Sequence, residues 1–340
     1  MKRGHRHSTA RTPLQWIVVI IVSVLVLALA FWAVAALYID LPRRWQLVAA
    51  SVCTVVMLVG IAILPRWRYK ALFLAGCFTV VLAWWLNIAP SDDRSWQTDV
   101  ARTAWADITD NIVTLHNLRN FDYRTETDYK PNWELRTVDL NKLEAVDLFL
   151  TFWGSPWIAH PILSFQFSDG QRIAISVETR KEMQEEYSTV KGFFRQYELI
   201  YIIADERDVI RLRTNYRQGE EVYLYRSTAS AEEARGVFLN YLQTVNELHQ
   251  APAFYNAITS NCTTNIRIHT AAASKGPLPA WDWRLLLNGK SDEFAYQYGR
   301  LAGDLPFEAL KAQAHINDAA RAADQDPDFS VRIRQGRAGF

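Results

Sequence analysis

Residues Trp16 to Tyr38 run without a charged residue and almost without a polar one. A helix needs about 20 apolar residues to cross a hydrocarbon core, so this stretch is long enough to span a bilayer. No other feature limits the fold as strongly, because a segment in lipid must satisfy its own backbone polar groups and is therefore driven to helix. Two further runs follow, Leu47 to Leu64 and Ala71 to Ile88. Both are near the minimum length, where a buried core helix is the alternative. The first run is too long for the apolar stretch of a signal peptide. No clear small-x-small cleavage site follows it, and more apolar sequence comes next. The expectation is a membrane anchor over residues 1–90 with three spans, about 16–38, 47–64 and 71–88.

Cytoplasmic segments carry the excess of lysine and arginine. Lys2, Arg3, Arg6 and Arg11 lie before the first run, Arg43 and Arg44 after it, and Arg66, Arg68 and Lys70 between the second and third. With three spans the tail and the second loop share a side, and together they hold more positive charge. The N-terminus is thus expected in the cytoplasm, and the segment after Ile88 outside, in an oxidising compartment. Trp16, Trp45, Trp67, Trp84 and Trp85 sit at or near the span ends, where indole rings favour the interface. The phospholipid bilayer is the first expected partner.

The rest of the chain has ordinary globular composition. The whole chain, with a formal net charge of +1, lacks the basic excess that neutralises phosphates, so no nucleic-acid partner is expected. Strand character marks 111–123, 133–140, 145–154, 158–167 and 171–180. The last two are joined through Ser168, Asp169 and Gly170, a hairpin signal. A sixth strand and a polar turn fill 198–214, and a seventh strand 220–227. Helical periodicity then takes over. Ser230 followed by Glu232 and Glu233 reads as a helix start, and Phe238, Tyr241, Leu242, Val245 and Leu248 fall on one face before Pro252. A second helix starts near Ser260 or Asn261, and a short helical hairpin is expected over 281–301. Residues 312–340 are charged and alanine-rich and read as a helix fraying into disorder. The fold class is α+β, a mostly antiparallel sheet followed by helices.

The chemistry centres on the run "ITSNCTTN", residues 258–265. Cys53 and Cys77 lie in the apolar runs, so Cys262 is the one cysteine of the polar domain and no disulfide forms within it. A thiol at a helix N-terminus faces unpaired N–H groups and the positive end of the dipole, which favour thiolate. The same groups can receive an oxyanion, and Asn261 and Thr263 beside the cysteine are the candidate substrate-side residues. The competing reading is a small residue packed as a hydrophobe. A nucleophilic thiol needs a base. His269 is two helical turns away, roughly 10 Å, too far for a hydrogen bond. His249 and His315 read as surface residues, and His116 as a strand residue facing solvent. His160, at the mouth of a very apolar strand before Pro161, is the best candidate. Glu178 lies on the next strand of the hairpin, where a carboxylate can orient an imidazole, or else pair with Arg180 or Lys181. With no HExxH, no CxxC and no glycine-rich phosphate loop, neither metal nor cofactor is expected.

The blocks "HPILSFQF", "AISVETRKE", "YELIYIIADERDVIRLRTNYR", "VYLYR" and "FYNAITSNCTTNIR" resemble the periplasmic domain family named after the bacterial lipoprotein N-acyltransferase Lnb. The resemblance spans about residues 108–285. It implies a circularly permuted, NlpC-like papain fold in which histidine precedes cysteine in sequence, as His160 and Cys262 do here. It implies Cys262 as nucleophile and His160 as base, and Glu178 falls in the family's SxExR block. Here the spans precede the domain, whereas the family name places the domain first. The expected organisation is then an anchor, a periplasmic cysteine–histidine domain over 91–311, and the tail 312–340, in the inner membrane of a bacterium. The expected activity is thiol-dependent acyl transfer on a membrane lipid or lipoprotein. A cysteine peptidase or amidase of the envelope, and a non-catalytic tethered domain, are the alternatives. The sequence sets no oligomeric state.

Overall fold

The computed structural model describes residues 12–273, 282–285 and 287–340. Trp281 and Leu286 of the helical hairpin expected over 281–301 lie outside the described residues. The chain divides into two compact units, Met1–Ala89 with Phe194–Gln196, and Pro90–Phe193 with Tyr197–Phe340.

The first unit contains three helices, α1 (Pro13–Asp40), α2 (Arg43–Ile63) and α3 (Trp67–Leu86), each long and apolar enough to cross a membrane. The second and third begin about four residues before the expected spans, because the arginine and lysine residues of the loops are taken into their first turns. Thr12 caps α1 with a capping box closed by Gln15, and Pro13 occupies the first turn, where its missing N–H costs nothing. The helices meet through small residues. Ala33 and Ala36 are fully buried, and a Cβ on Gly60 would come within 2.1 Å of the Phe73 ring. Only a glycine lets α2 and α3 approach there, the packing mode of helices in lipid.

Among the described residues of the second unit, eight strands form one sheet: β1 (Trp105–Thr109), β2 (Ile112–Arg119), β5 (Trp133–Asp139), β6 (Leu143–Trp153), β7 (Ala159–Phe167), β8 (Arg172–Arg180), β9 (Glu198–Ala204) and β10 (Glu220–Arg226). Two short strands, β3 (Asp122–Tyr123) and β4 (Tyr129–Lys130), pair apart from it. The order is β1-β2-β9-β8-β7-β6-β10, with β5 also on β2. The hairpins β6–β7 and β7–β8 are antiparallel, and β2 meets β9 in parallel. Every residue of β7 and β9 is buried; β9 is an almost continuous apolar run, while β7 turns Ser164 and Gln166 to Glu206 and Asp147 on one face. Gly170, at φ +87, closes the β7–β8 turn where the Asp-Gly signal placed it.

Two layers cover the sheet. Over one face lie α5 (Ala231–Gln250) and α6 (Cys262–Ala273), with Phe238, Tyr241 and Leu242 packed on Phe165, Ile175 and Tyr201. Ser230 and Glu233 form the capping box of α5. The other face takes Ile162, Ala174 and Ile202 against a short helix α4 (Glu206–Arg211) and the C-terminal segment. The stretch after Ala204, expected as a turn, is thus helical, and it runs on into a π-helical turn, Leu212–Tyr216.

The tail differs most from expectation. After α7 (Ser291–Gln297), residues 307–332 form α8 (Phe307–Ala314), α9 (Asn317–Ala322) and α10 (Phe329–Arg332). Ile316, Ala320, Phe329 and Ile333 are buried to the last atom under the sheet, so the segment does not fray into disorder. Its charge is also used. Arg334 donates to Asp147 at 2.8 Å and to Glu206 at 2.6 Å, Arg226 donates to Asp147 at 2.5 Å, and Ser164 donates to Glu206 at 2.5 Å. Neutralising partners that distant in sequence are why an apparently soluble tail is part of the core.

Candidate active site

Cys262 is the first residue of α6. The local sequence places it there through Asn261, whose side-chain oxygen accepts the N–H of Thr264 at 2.9 Å, an N-cap. The Asn261 amide donates to Ala257 O at 2.8 Å, so this side chain is spent on the backbone on both sides. The thiol is half-buried and packs beside the Tyr241 and Tyr255 cluster.

His160 is the second residue of β7, where the pairing with β8 has run out beyond Ile162 and Ser176. Its ring therefore faces side chains of β8 rather than backbone. Nε2 donates to Ser176 Oγ at 2.7 Å and lies 3.2 Å from Glu178 Oε1. Ser176 Oγ donates to the same carboxylate oxygen at 2.7 Å. That leaves Nδ1 free of these partners, and the Cys262 side chain is near enough to the ring to help raise its pKa. The structure thus brings Cys262 together with His160 and Glu178, which precede it by 102 and 84 positions in the chain.

The electrostatics follow from this. Burial alone would lower the His160 pKa, but the Glu178 carboxylate outweighs it. With the Arg213 guanidinium opposing and the Cys262 and Glu178 hydrogen bonds adding, the ring is raised to about 9. Burial would raise Glu178; His160 and Arg213 instead hold it well below the usual carboxylate range. At neutral pH the pair is imidazolium and carboxylate, with the imidazolium next to the sulfur.

Two residues that sequence reasoning missed complete the site. Arg213, on the π-helical turn, donates to Glu178 at 2.8 Å and reaches Glu220 at 3.3 Å. Asn288 donates to Ala159 O at 2.6 Å and to Thr263 Oγ1 at 2.7 Å, and accepts from Ala159 N at 2.9 Å; its amide is 3.9 Å from Cys262 Sγ. It ties the first turn of α6 to the start of β7. Thr263 Oγ1 thereby accepts from Asn288, while Asn261 is engaged by the backbone on both sides; the helix start also offers backbone N–H. The neighbouring Gly289 is required: a Cβ there would meet Pro156 O and the Trp157 carbonyl carbon at 2.5 Å. Asn-Gly was the available signal, but on its own it reads only as a turn.

The other histidines have different partners. His269 is buried between Tyr201 and Asn240, at 2.9 and 2.6 Å, and burial lowers it to about 4. His116 stacks on Trp105, His249 contacts Thr103, and His315 pairs with Glu221.

A thiol at a helix start, an imidazole against it and a carboxylate behind the imidazole can carry out nucleophilic acyl transfer. None of the curated proteins or solved structures compared with the chain matches it. A family model does, over residues 129–289, just under half of the sequence. Together with the three apolar helices ahead of it, that match describes a membrane-anchored periplasmic domain. The segment that holds His160, Glu178, Cys262 and Asn288 matches the Lnb N-terminal periplasmic domain family, the family its motifs resemble.

Proposed function

We propose that this protein is a membrane-anchored thiol acyltransferase working on a lipid or lipoprotein acyl group at the outer face of the inner membrane, with its N-terminus in the cytoplasm. The observation that carries the reading is the chain of contacts from Cys262 through His160 to Glu178 at the start of α6. Cys262 as thiolate attacks an ester carbonyl. A C–S bond forms, the ester C–O bond breaks, and the leaving alcohol takes the proton of His160. An amine then attacks the thioester, forming C–N and breaking C–S. His160 accepts the amine proton, and the thiolate returns. The first N–H groups of α6, at Cys262 and Thr263, suit the oxyanion of both steps. Glu178 and Arg213 position the imidazole and hold its charge. Histidine ahead of cysteine in the chain, with the cysteine helix packed on the sheet, supports the circularly permuted papain/NlpC-like fold. A membrane anchor suits a donor that lives in the bilayer.

The test is intact-protein mass spectrometry of the full chain in lipid nanodiscs, with and without an added amine, alongside lipoprotein N-termini from cells carrying Cys262→Ser. A thioester on Cys262 that is discharged to an amide supports the reading. Discharge only to free acid makes the protein a hydrolase. No thioester, with Cys262 alkylated no faster than a free thiol and indifferent to His160→Ala, leaves a non-catalytic domain. Labelling of cysteines placed in each loop from outside intact cells checks the orientation.

A further inference from the structure

A cavity of about 260 Å³ lies in the second unit beside the site, between α5, α6, the β6–β7 hairpin and the segment around α7. Its walls are apolar: Leu148, Leu163, Val237, Ile266, Phe294 and Leu301. Thr263, Ile266, Arg267 and Thr270 put one face of α6 along it, starting at the residue after Cys262. Pro161, the residue after His160, lines the same space. Arg267 and Arg300 also border it. The volume falls just below the roughly 300–1,000 Å³ of pockets that enclose a whole drug-sized ligand. It suits a single unbranched chain rather than a complete amphiphile.

We propose that this cavity holds the hydrocarbon tail of the acyl group carried by Cys262, and that its walls set the chain length the protein accepts. The proposal rests on the acyl-transfer reading for its occupant. Cys262 and His160 do not line the cavity themselves, but the residue after each does, Thr263 and Pro161, so it lies one residue from the thiol and runs along α6, within reach of an acyl chain bonded to sulfur. Each methylene drawn in from water favours the longer donor. Glu233 borders the cavity as well and pairs with Arg300 at 3.9 Å, so the charged groups sit at its margin and the apolar walls carry the recognition. Phospholipids and lipoprotein diacylglycerol share this acyl chemistry.

The experiment uses the full chain in detergent with p-nitrophenyl acetate, butyrate, octanoate and dodecanoate, following the nitrophenolate burst and the mass of Cys262. The wild-type burst rate should rise with chain length by about tenfold or more from acetate to octanoate. Ile266→Trp fills the cavity and should move the optimum to shorter chains. Leu148→Ala enlarges it and should move the optimum to longer ones, so a folding defect in one variant cannot mimic the pair. A thioester that forms at rates independent of chain length, or an optimum that neither variant moves, overturns the cavity proposal and leaves acyl transfer standing. Absence of a thioester with every ester overturns both. Competition of the octanoate burst by a phospholipid or by a diacylated lipopeptide then separates the two donor sources; competition by neither overturns the assignment of a lipid acyl chain.

Discussion

His160 and His269 are both buried, and both belong to elements that adjoin Cys262, yet their environments push them in opposite directions. His160 stands where a strand pairing ends, so a carboxylate reaches its ring and raises it to about 9. His269 lies two turns along α6 between a tyrosine hydroxyl and an asparagine amide, both neutral, and burial lowers it to about 4. The difference shows that burial does not decide a histidine's role; the charge of what surrounds it does. One ring is held charged beside a thiol, and the other is held neutral between two neutral partners.

The sharpest way to break this contrast is to remove each ring in turn. His160→Ala should slow Cys262 acylation by about 10²–10⁴-fold, the usual contribution of a positioned acid–base. His269→Ala should leave the rate within a few-fold and instead cost about 1–3 kcal/mol of stability, since Tyr201 and Asn240 lose their buried partner. Burst kinetics and thermal unfolding of the two variants check this, and equal rate losses would erase the distinction.

Glu178→Gln tests the cause of the raised value. Without the carboxylate, burial and Arg213 should pull the ring from about 9 down past the ordinary histidine value of about 6.5. Loss of the imidazolium sets the alkaline limb of the rate profile, so that limb should move down by about two pH units or more. The stability that the charged pair contributes is complete below about pH 6.5 and is lost as pH rises through about 9. A limb that stays in place rules out Glu178 as the cause.

His269 predicts the reverse sign. The unfolded chain binds its proton near pH 6.5 and the folded one only near about 4. Stability from this site is therefore complete above about pH 6.5 and falls by up to about 3 kcal/mol as pH drops through 4. His269→Gln should flatten the acid side of the unfolding curve. The smallest effect is expected at Asn288. Asn288→Ala frees the α6 start from β7 and should cost about 1–2 kcal/mol of stability. Its acylation rate should drop by about tenfold, with the pH limbs unmoved.

Much of this was legible in the sequence. Apolar length located the anchor helices, Asp169-Gly170 located a hairpin, and Ser230 with Glu233 located a helix start. Cys262, His160 and Glu178 stand out because a polar run, a strand mouth and a facing strand are local patterns. Arg213 and Asn288 did not, since their partners at the site, Glu178 and Thr263, lie 35 and 25 positions away, and each sits in a turn whose own sequence says nothing of that partner. Arg213 also rides on a π-helical turn, which no periodicity announces. The C-terminal segment was misread for the same reason: its buried residues are few and spaced, and Arg334 looks soluble until Asp147 and Glu206 are beside it.

That last arrangement has a consequence for how the protein is made. Asp147 and Arg334 are 187 positions apart, and at typical synthesis rates the acid is exposed on the order of 10–40 s before its partner emerges. Through that interval Asp147 has only the Arg226 guanidinium beside it, and Glu206 lacks the guanidinium that neutralises it under the sheet. A ribosome that stops short of Arg334 releases a chain with the Glu206 carboxylate aimed unpaired into its own core, a species more open to proteases than the finished protein.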